Sequence, residues 1–91
     1  MDLVTATSFL SDLSVDTTSF TADTPLIGPD SELDSMTLVQ LCIQLEDHSR
    51  SDGFSFDWTS EKAMSRLNSM FRNIGSLIKE YNSQKDSQSN N

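Results

Sequence analysis

The 91-residue sequence is poor in the residues that build disulfides, metal sites and catalytic centres. Cys42 is its only cysteine, so no disulfide can form within the chain, and we expect a reducing, cytoplasmic location. Its only histidine, His48, lies six residues further on, and one Cys with one His do not form a clustered metal site. A nucleophile–histidine–acid arrangement would need His48 as its base, and nothing orients it. The sequence therefore predicts a protein that is not an enzyme.

Basic residues are absent from the first half of the chain. No Lys or Arg precedes Arg50, whereas residues 1–49 carry nine acidic side chains, and the net charge of the whole chain is −8. Nucleic acids and anionic membranes are poor partners for such a surface, because both bind through Lys and Arg. A basic protein surface would be attracted, and long-range attraction speeds such encounters. The alternative is that the acidity only keeps the chain soluble.

Long apolar runs are absent too. No stretch approaches the length of a membrane span, and no basic segment followed by an apolar run marks a secretory signal. With 35% apolar residues, the chain has room for one small domain with a thin core. Both prolines and Gly28 fall within residues 16–33, which predicts a long irregular connection there. Three apolar residues are expected to anchor this connection to the core: Phe20, Leu26 and Ile27.

Hydrophobic periodicity predicts an all-α fold, a small four-helix bundle of three longer helices and one short helix. The first helix is predicted over residues 2–15 and the strongest over 35–47. A short helix is predicted over 61–67, capped by Thr59 or Ser60, and a last helix begins at Ser69 and ends near Tyr81. The domain is thus predicted to cover residues 1–81, with a disordered C-terminal tail over 82–91.

The helix over 35–47 has a good N-cap in Asp34 and two apolar stripes. The first stripe is predicted to face the core and consists of Leu38, Leu41, Cys42 and Leu45. The second stripe has the spacing i, i+3, i+7 and consists of Met36, Val39 and Ile43. A helix that is apolar over so wide an arc is either deeply buried or binds a partner through its second stripe. Both interpretations are open at the sequence level.

Alternating aromatic residues follow this helix in the segment GFSFDW, residues 53–58. Alternation is typical of a short strand, but no other segment of the chain is predicted to pair with it. We therefore interpret Phe54, Phe56 and Trp58 as anchors that hold a polar loop to the core.

The segment GPDSELDSMTLVQLCIQLED, residues 28–47, resembles the phosphopantetheine-attachment segment of acyl carrier proteins. In that family the motif Asp-Ser-Leu (or Met) opens the second helix, and here Asp34, Ser35 and Met36 stand in that place. The similarity continues along the helix, and residues 61–78 resemble the short third helix of the family running into the fourth. Coverage extends over nearly all of residues 1–81 and is weakest in the first helix.

The resemblance implies that a phosphopantetheinyl transferase moves 4′-phosphopantetheine from coenzyme A onto Ser35. The thiol of the arm would then carry acyl groups as thioesters between acyl-loading and acyl-processing enzymes that have basic docking patches. The pathway would be fatty-acid-like, polyketide, modified-lipid or surface-polysaccharide assembly, and the carrier would be a monomer. The implied docking face consists of Asp34, Met36, Val39, Ile43, Glu46 and Asp47.

The match departs from the family in two places. Thr37 and Gln40 stand where carriers with strong electrostatic docking have acidic residues, so partner recognition would depend more on apolar contact. The connection after Asp47 is also longer than usual, and its GFSFDW segment either lines an acyl pocket or seals the core, with sealing favoured. Two other functions are compatible with the sequence: an aminoacyl or peptidyl carrier, and an unmodified acidic helical adaptor that binds a partner helix.

Overall fold

The computed structural model describes residues 1–28 and 33–89, and within these ranges the chain is helical without any β-strand. Five helices follow one another: α1 Leu3–Asp12, α2 Ser35–Ser51, α3 Glu61–Met64, α4 Leu67–Met70 and α5 Ile74–Ser89. The predicted all-α class is therefore confirmed. The short helix predicted over 61–67 corresponds to α3, which ends at Met64, and a further single-turn helix, α4, lies between it and α5. None of the helices in the described ranges is long and apolar enough to span a membrane.

The first two helices begin at capping aspartates. Asp2 accepts a hydrogen bond from the backbone N–H of Thr5 at 2.9 Å, and Asp34 accepts one from Thr37 at 2.7 Å. Each carboxylate satisfies a backbone donor that the first helical turn leaves unpaired. The N-cap predicted at Asp34 is thus confirmed, whereas α1 ends at Asp12, three residues before the predicted end.

The core lies between α1, α2 and α5 and is closed by the long connection before α2. Leu26 is fully buried, and Phe20 and Ile27 pack against the core, as predicted for this connection. From the helices, the most deeply buried apolar side chains are Ala6, Leu10, Leu41, Cys42, Leu45, Ile74, Leu77 and Tyr81. Leu41, Cys42 and Leu45 belong to the stripe of α2 that was predicted to face inward.

The last helix begins at Ile74, so the predicted start at Ser69 is wrong. The backbone N–H of Ile74 donates a hydrogen bond to the carbonyl oxygen of Thr24 at 3.0 Å. The N–H of Gly75 donates one to the carbonyl oxygen of Ala22 at 2.8 Å. Asn73 accepts from the N–H of Ser76 at 2.7 Å, in the manner of an N-cap. The connection thus supplies acceptors for a new helix start. Glycine suits this approach, since a Cβ at residue 75 would lie 3.2 Å from the Ala22 oxygen.

Residues 82–89 continue α5, which corrects the prediction of a disordered tail for this stretch; residues 90 and 91 lie outside the described residues. Two glutamines one helical turn apart hold this part of α5 against the extended segment before α3. Gln84 accepts from the backbone N–H of Asp57 at 2.6 Å and donates to its carbonyl at 3.0 Å. Gln88 makes the same pair of bonds with Ser55, at 3.1 and 2.9 Å. The side-chain amides take the place of a neighbouring strand.

The opposite edge of the same segment is held by α2. The backbone N–H of Phe56 donates to the buried hydroxyl of Ser49 at 2.9 Å, and that hydroxyl donates to the carbonyl of Glu46 at 2.6 Å. Phe54 and Phe56 are buried, and both rings contact Tyr81, with centroids 4.9 and 5.5 Å away. The backbone donors of residues 55–57 are therefore satisfied by side chains of two helices, while the phenylalanines seal the core as predicted.

Candidate functional site

Ser35 is the first residue of α2, and its side chain is exposed. The preceding Asp34 has an extended backbone (φ −90°, ψ 172°), which turns the chain into the helix at this point. The hydrogen bond from the backbone N–H of Thr37 lowers the pKa of Asp34, so its carboxylate is charged at neutral pH. The serine hydroxyl is thus displayed at the positive end of a 17-residue helix, where an external enzyme can reach it.

A groove of about 340 Å³, which we call the apolar groove, opens beside Ser35. One wall comes from α2, and the other comes from Trp58, α3, α4 and the residue after α4. No charged side chain lines it. Apart from Ser35, the residues that line the groove are Leu38, Val39, Cys42, Trp58, Thr59, Met64, Leu67 and Phe71. Ser35, Val39 and Cys42 are spaced by four and three residues, so they lie along one face of α2.

Cys42 lies in the wall of this groove and is nearly inaccessible to solvent. Burial raises the pKa of its thiol to about 12, because the thiolate would lose its hydration. The nucleophilic form of a cysteine is the thiolate, so Cys42 is chemically inert at neutral pH. It acts as a small apolar wall residue, which agrees with the prediction from sequence.

Of the nine residues that line the groove, only Ser35 and Val39 were identified as site residues from the sequence. Trp58 packs against the core, as predicted for a loop anchor, and it also lines the groove, whereas Phe54 and Phe56 are buried in the core. Met64 is 57% exposed at the end of α3 and forms part of the same wall. Neither Trp58 nor Met64 has a clear signal in the sequence. Met64 lies in a helix of one turn, which is too short to show an apolar stripe, and Trp58 differs from the two phenylalanines only by coming last in the alternating series.

The second stripe of α2 lies outside the core. Met36 is 65% exposed, Val39 43% and Ile43 46%, whereas Leu41 and Leu45 on the opposite face are almost completely buried. The alternative that this stripe is simply core is therefore excluded. These three residues form a ridge on the solvent side of α2, with Val39 also reaching the apolar groove.

The acidic residues of the predicted docking face do not surround one point. Asp34 is exposed at the start of α2, and Asp47 is exposed thirteen residues later, about 20 Å along the helix axis. Asp47 is 3.6 Å from the guanidinium of Arg50, and Glu46 is partly buried. The structure thus brings Ser35, Met36 and Val39 together at one end of α2. Glu46 and Asp47 lie at a second, separate position.

Comparison with known proteins gives no assignment. No family model matches the chain, and no curated protein or solved structure matches it significantly. Within the described residues, no group of His, Cys, Asp and Glu side chains is placed to hold a metal ion. A functional conclusion therefore has to come from Ser35, the apolar groove and the exposed ridge of α2.

Proposed function

We propose that this chain is an acyl carrier protein, a helical bundle of acyl-carrier type in which Ser35 is modified with 4′-phosphopantetheine from coenzyme A. The observation that carries the proposal is an exposed serine hydroxyl at the start of the longest helix, directly beside an apolar groove. A carrier needs both features. A transferase must reach the hydroxyl, and the acyl chain at the end of the arm needs an apolar surface on which to rest.

The helix start favours the modification electrostatically. Backbone N–H groups of a first helical turn, together with the helix dipole, stabilise an anionic group attached there. The phosphodiester of the arm would occupy this position at Ser35. The thiol at the far end of the arm would carry the acyl group as a thioester, and tethering would raise the local concentration of that group at each docked enzyme. The carrier itself would catalyse no step.

The lining of the groove favours an acyl cargo over an aminoacyl cargo. The ammonium group of an aminoacyl thioester needs a carboxylate or several acceptors when it leaves water, and no charged side chain lines the groove. An aliphatic chain loses its contact with water there and needs no polar partner. We therefore infer that the cargo is a fatty-acid-like or polyketide acyl chain rather than an amino acid.

The exposed ridge of Met36, Val39 and Ile43 supports transient docking of partner enzymes in the cytoplasm. Apolar side chains beside a modification site are typical of an interface centre, and the net negative charge of the chain would attract basic patches. The same ridge also favours the second candidate function, an unmodified adaptor that binds a partner helix. The two functions differ in whether Ser35 is modified.

Intact-mass measurement separates them. The purified chain is incubated with coenzyme A and a broad-specificity phosphopantetheinyl transferase, and we expect the wild type to gain the mass of one arm. Ser35→Ala should gain nothing. The matched control is Ser51→Ala at the exposed C-terminal end of the same helix, which should be modified like the wild type.

An unmodified wild type would contradict the carrier proposal and leave the adaptor. Modification of Ser35→Ala would move the attachment site to another hydroxyl. Loading of the modified protein with acyl or aminoacyl donors then tests the cargo, and faster aminoacyl loading would contradict the cargo assigned from the groove.

A further inference from the structure

A second concavity of about 260 Å³ lies between α4 and α5 and shares no residue with the apolar groove. We call it the basic pocket, because three of the six basic residues of the chain line it: Arg66, Arg72 and Lys79. Glu80 is the only carboxylate in its lining. The pocket is therefore locally positive in a chain whose net charge is −8.

The ion pairing within the basic pocket leaves two cations free. Arg66 Nη2 lies 3.1 Å from the Glu80 carboxylate, which also accepts a hydrogen bond from Gln84 at 2.8 Å. Glu80 is thus already engaged by two donors. Arg72 and Lys79 are exposed and have no ion-pair or hydrogen-bond partner within residues 1–28 and 33–89. The pocket carries an excess of two positive charges, although acidic residues outnumber basic ones by 14 to 6 in the chain.

The cations of the pocket lie beside hydroxyl donors. Arg72 lies two residues before the start of α5, whereas Ser76 and Lys79 are three residues apart on one face of that helix, and all three line the pocket. Ser69 faces them from α4. The side-chain hydroxyls of Ser69 and Ser76 make no hydrogen bond in the described part of the chain. Guanidinium, ammonium and hydroxyl donors around a concave surface are the groups that bind phosphate oxygens.

The guanidinium of Arg66 is itself only partly satisfied. Its Nε is buried without a hydrogen-bond partner among the described residues, while its Nη2 is held by Glu80. The ion pair with Glu80 holds this guanidinium beside the pocket, and the excess positive charge there comes from Arg72 and Lys79. The acidic residues of α1 and α2 do not line the pocket, and salt screens charges that are more than about 8 Å away. The local charge therefore decides which ions are attracted.

We propose that the basic pocket binds a dianionic phosphate group, either free phosphate or the phosphate of a small organic ester. The two free cations match the two charges of the dianion, and Ser69 and Ser76 donate to its remaining oxygens. The volume exceeds that of the phosphate group alone, which leaves room for an attached organic group. The ligand is independent of the modification of Ser35, because the pocket and the groove have no residue in common.

The test is an NMR titration of the unmodified chain, in which inorganic phosphate or glycerol 3-phosphate replaces chloride at constant ionic strength. We expect saturable shifts of backbone amides in residues 66–83. Arg72→Gln and Lys79→Gln should each weaken binding by about fivefold or more, since each removes one charge-assisted hydrogen bond. Arg50→Gln is the matched control: it removes the same charge from α2, where Arg50 pairs with Asp47, and should leave the affinity unchanged.

Shifts that rise linearly without saturation would overturn the proposal, as would equal affinities of the wild type and both pocket variants. Equal weakening by Arg50→Gln would also overturn it, because the effect would then reflect net charge alone. Tighter binding of glycerol 3-phosphate than of inorganic phosphate assigns the pocket to a phosphate ester. Equal affinities assign it to free phosphate. All variants change exposed or partly exposed side chains, so their spectra without ligand should show an intact fold.

Discussion

The two ends of the molecule are built in opposite ways. At the start of α2, Ser35 and Met36 are exposed, and the turn carries a cap in which Asp34 accepts a hydrogen bond from the backbone N–H of Thr37. At the end of α5, equally polar residues are tied down, since Gln84 and Gln88 each make two hydrogen bonds to one residue of the extended segment. Polarity in the sequence therefore does not separate a surface that is open to partners from one that holds the fold.

The two regions differ in whether their binding partner belongs to the same chain or to another molecule. The backbone groups of residues 55 and 57 find their partners within the chain, so the end of α5 serves stability. The ridge of Met36, Val39 and Ile43 on α2 is exposed, and we propose that it binds other proteins. If this contrast is correct, mutations should separate stability from docking according to the end of the molecule in which they lie.

The largest expected effect on stability is that of Leu45→Ala. Leu45 is completely buried on the core face of α2, and truncation of such a residue in a small core costs about 2–5 kcal/mol of the free energy of unfolding. The matched control is Ile43→Ala, two residues away on the exposed ridge, which should change stability by less than about 0.5 kcal/mol. Thermal and urea unfolding measure both. Equal losses in the two variants would show that both faces of α2 are packed.

Gln84→Ala tests the clamp at the other end. It removes both hydrogen bonds to Asp57 and leaves a backbone donor and acceptor poorly satisfied, so we expect a loss of about 1–3 kcal/mol. Gln40→Ala, at an exposed position of α2, is the control and should be nearly neutral. Hydrogen exchange provides a second measurement: amides of residues 82–89 should be protected in the wild type and lose protection in Gln84→Ala. Unprotected wild-type amides would support the disordered tail instead.

These two variants also show which features could be predicted from the sequence. The start and the buried face of α2 were predicted well, because its cap and its apolar periodicity are local signals within about a dozen residues. Its end was not, since the helix continues to Ser51, four residues beyond the predicted end at Asp47. The same periodicity predicted a second apolar stripe but left open whether that stripe is buried or exposed. The end of α5 was not predicted, since Gln84 and Gln88 are ordered by a segment 27 and 33 residues away. A polar stretch carries no local sign of such a contact.

The residues of the candidate site also differ in whether their signal in the sequence is local or long-range. Ser35 was identified from the resemblance of its segment to the attachment segment of acyl carrier proteins, whereas Trp58 and Met64, in the second wall of the apolar groove, are brought beside α2 only by the tertiary fold. The late start of α5 has a similar cause. It depends on the carbonyl groups of Ala22 and Thr24, about fifty residues earlier in the chain.

Acid should weaken the packing between α2 and α5 through Asp52. The hydroxyl of Tyr81 donates to the Asp52 carboxylate at 2.6 Å, and this bond lowers the pKa of Asp52 below its usual value of about 4. A carboxylate with a lowered pKa in the folded state adds stability above its usual pKa. That stability is lost as the pH falls through the lowered value. We therefore expect the melting temperature of Asp52→Asn to fall less steeply on acidification than that of the wild type.

Tyr81→Phe provides the matching control, because it removes the hydroxyl that causes the shift and keeps the ring in the core. It should flatten the acid limb of the stability curve in the same direction as Asp52→Asn. If both variants follow the wild-type slope down to low pH, the hydrogen bond contributes nothing to the linkage.

The smallest effect on stability is expected for Met36→Glu, which should nevertheless have a large effect on docking. Met36 is 65% exposed, so the change should alter the free energy of unfolding by less than about 0.5 kcal/mol. If the ridge is the interface centre, a charge there should slow modification of Ser35 by about tenfold, equivalent to about 1.4 kcal/mol. Val4→Glu places the same charge on an apolar residue of α1 that is 77% exposed. It should leave the transferase rate unchanged, because α1 takes no part in the proposed interface. Equal slowing in both variants would mean that added negative charge, rather than loss of the apolar ridge, governs recognition by the transferase. The start of α2 would then not be distinguished from the rest of the surface as a docking site.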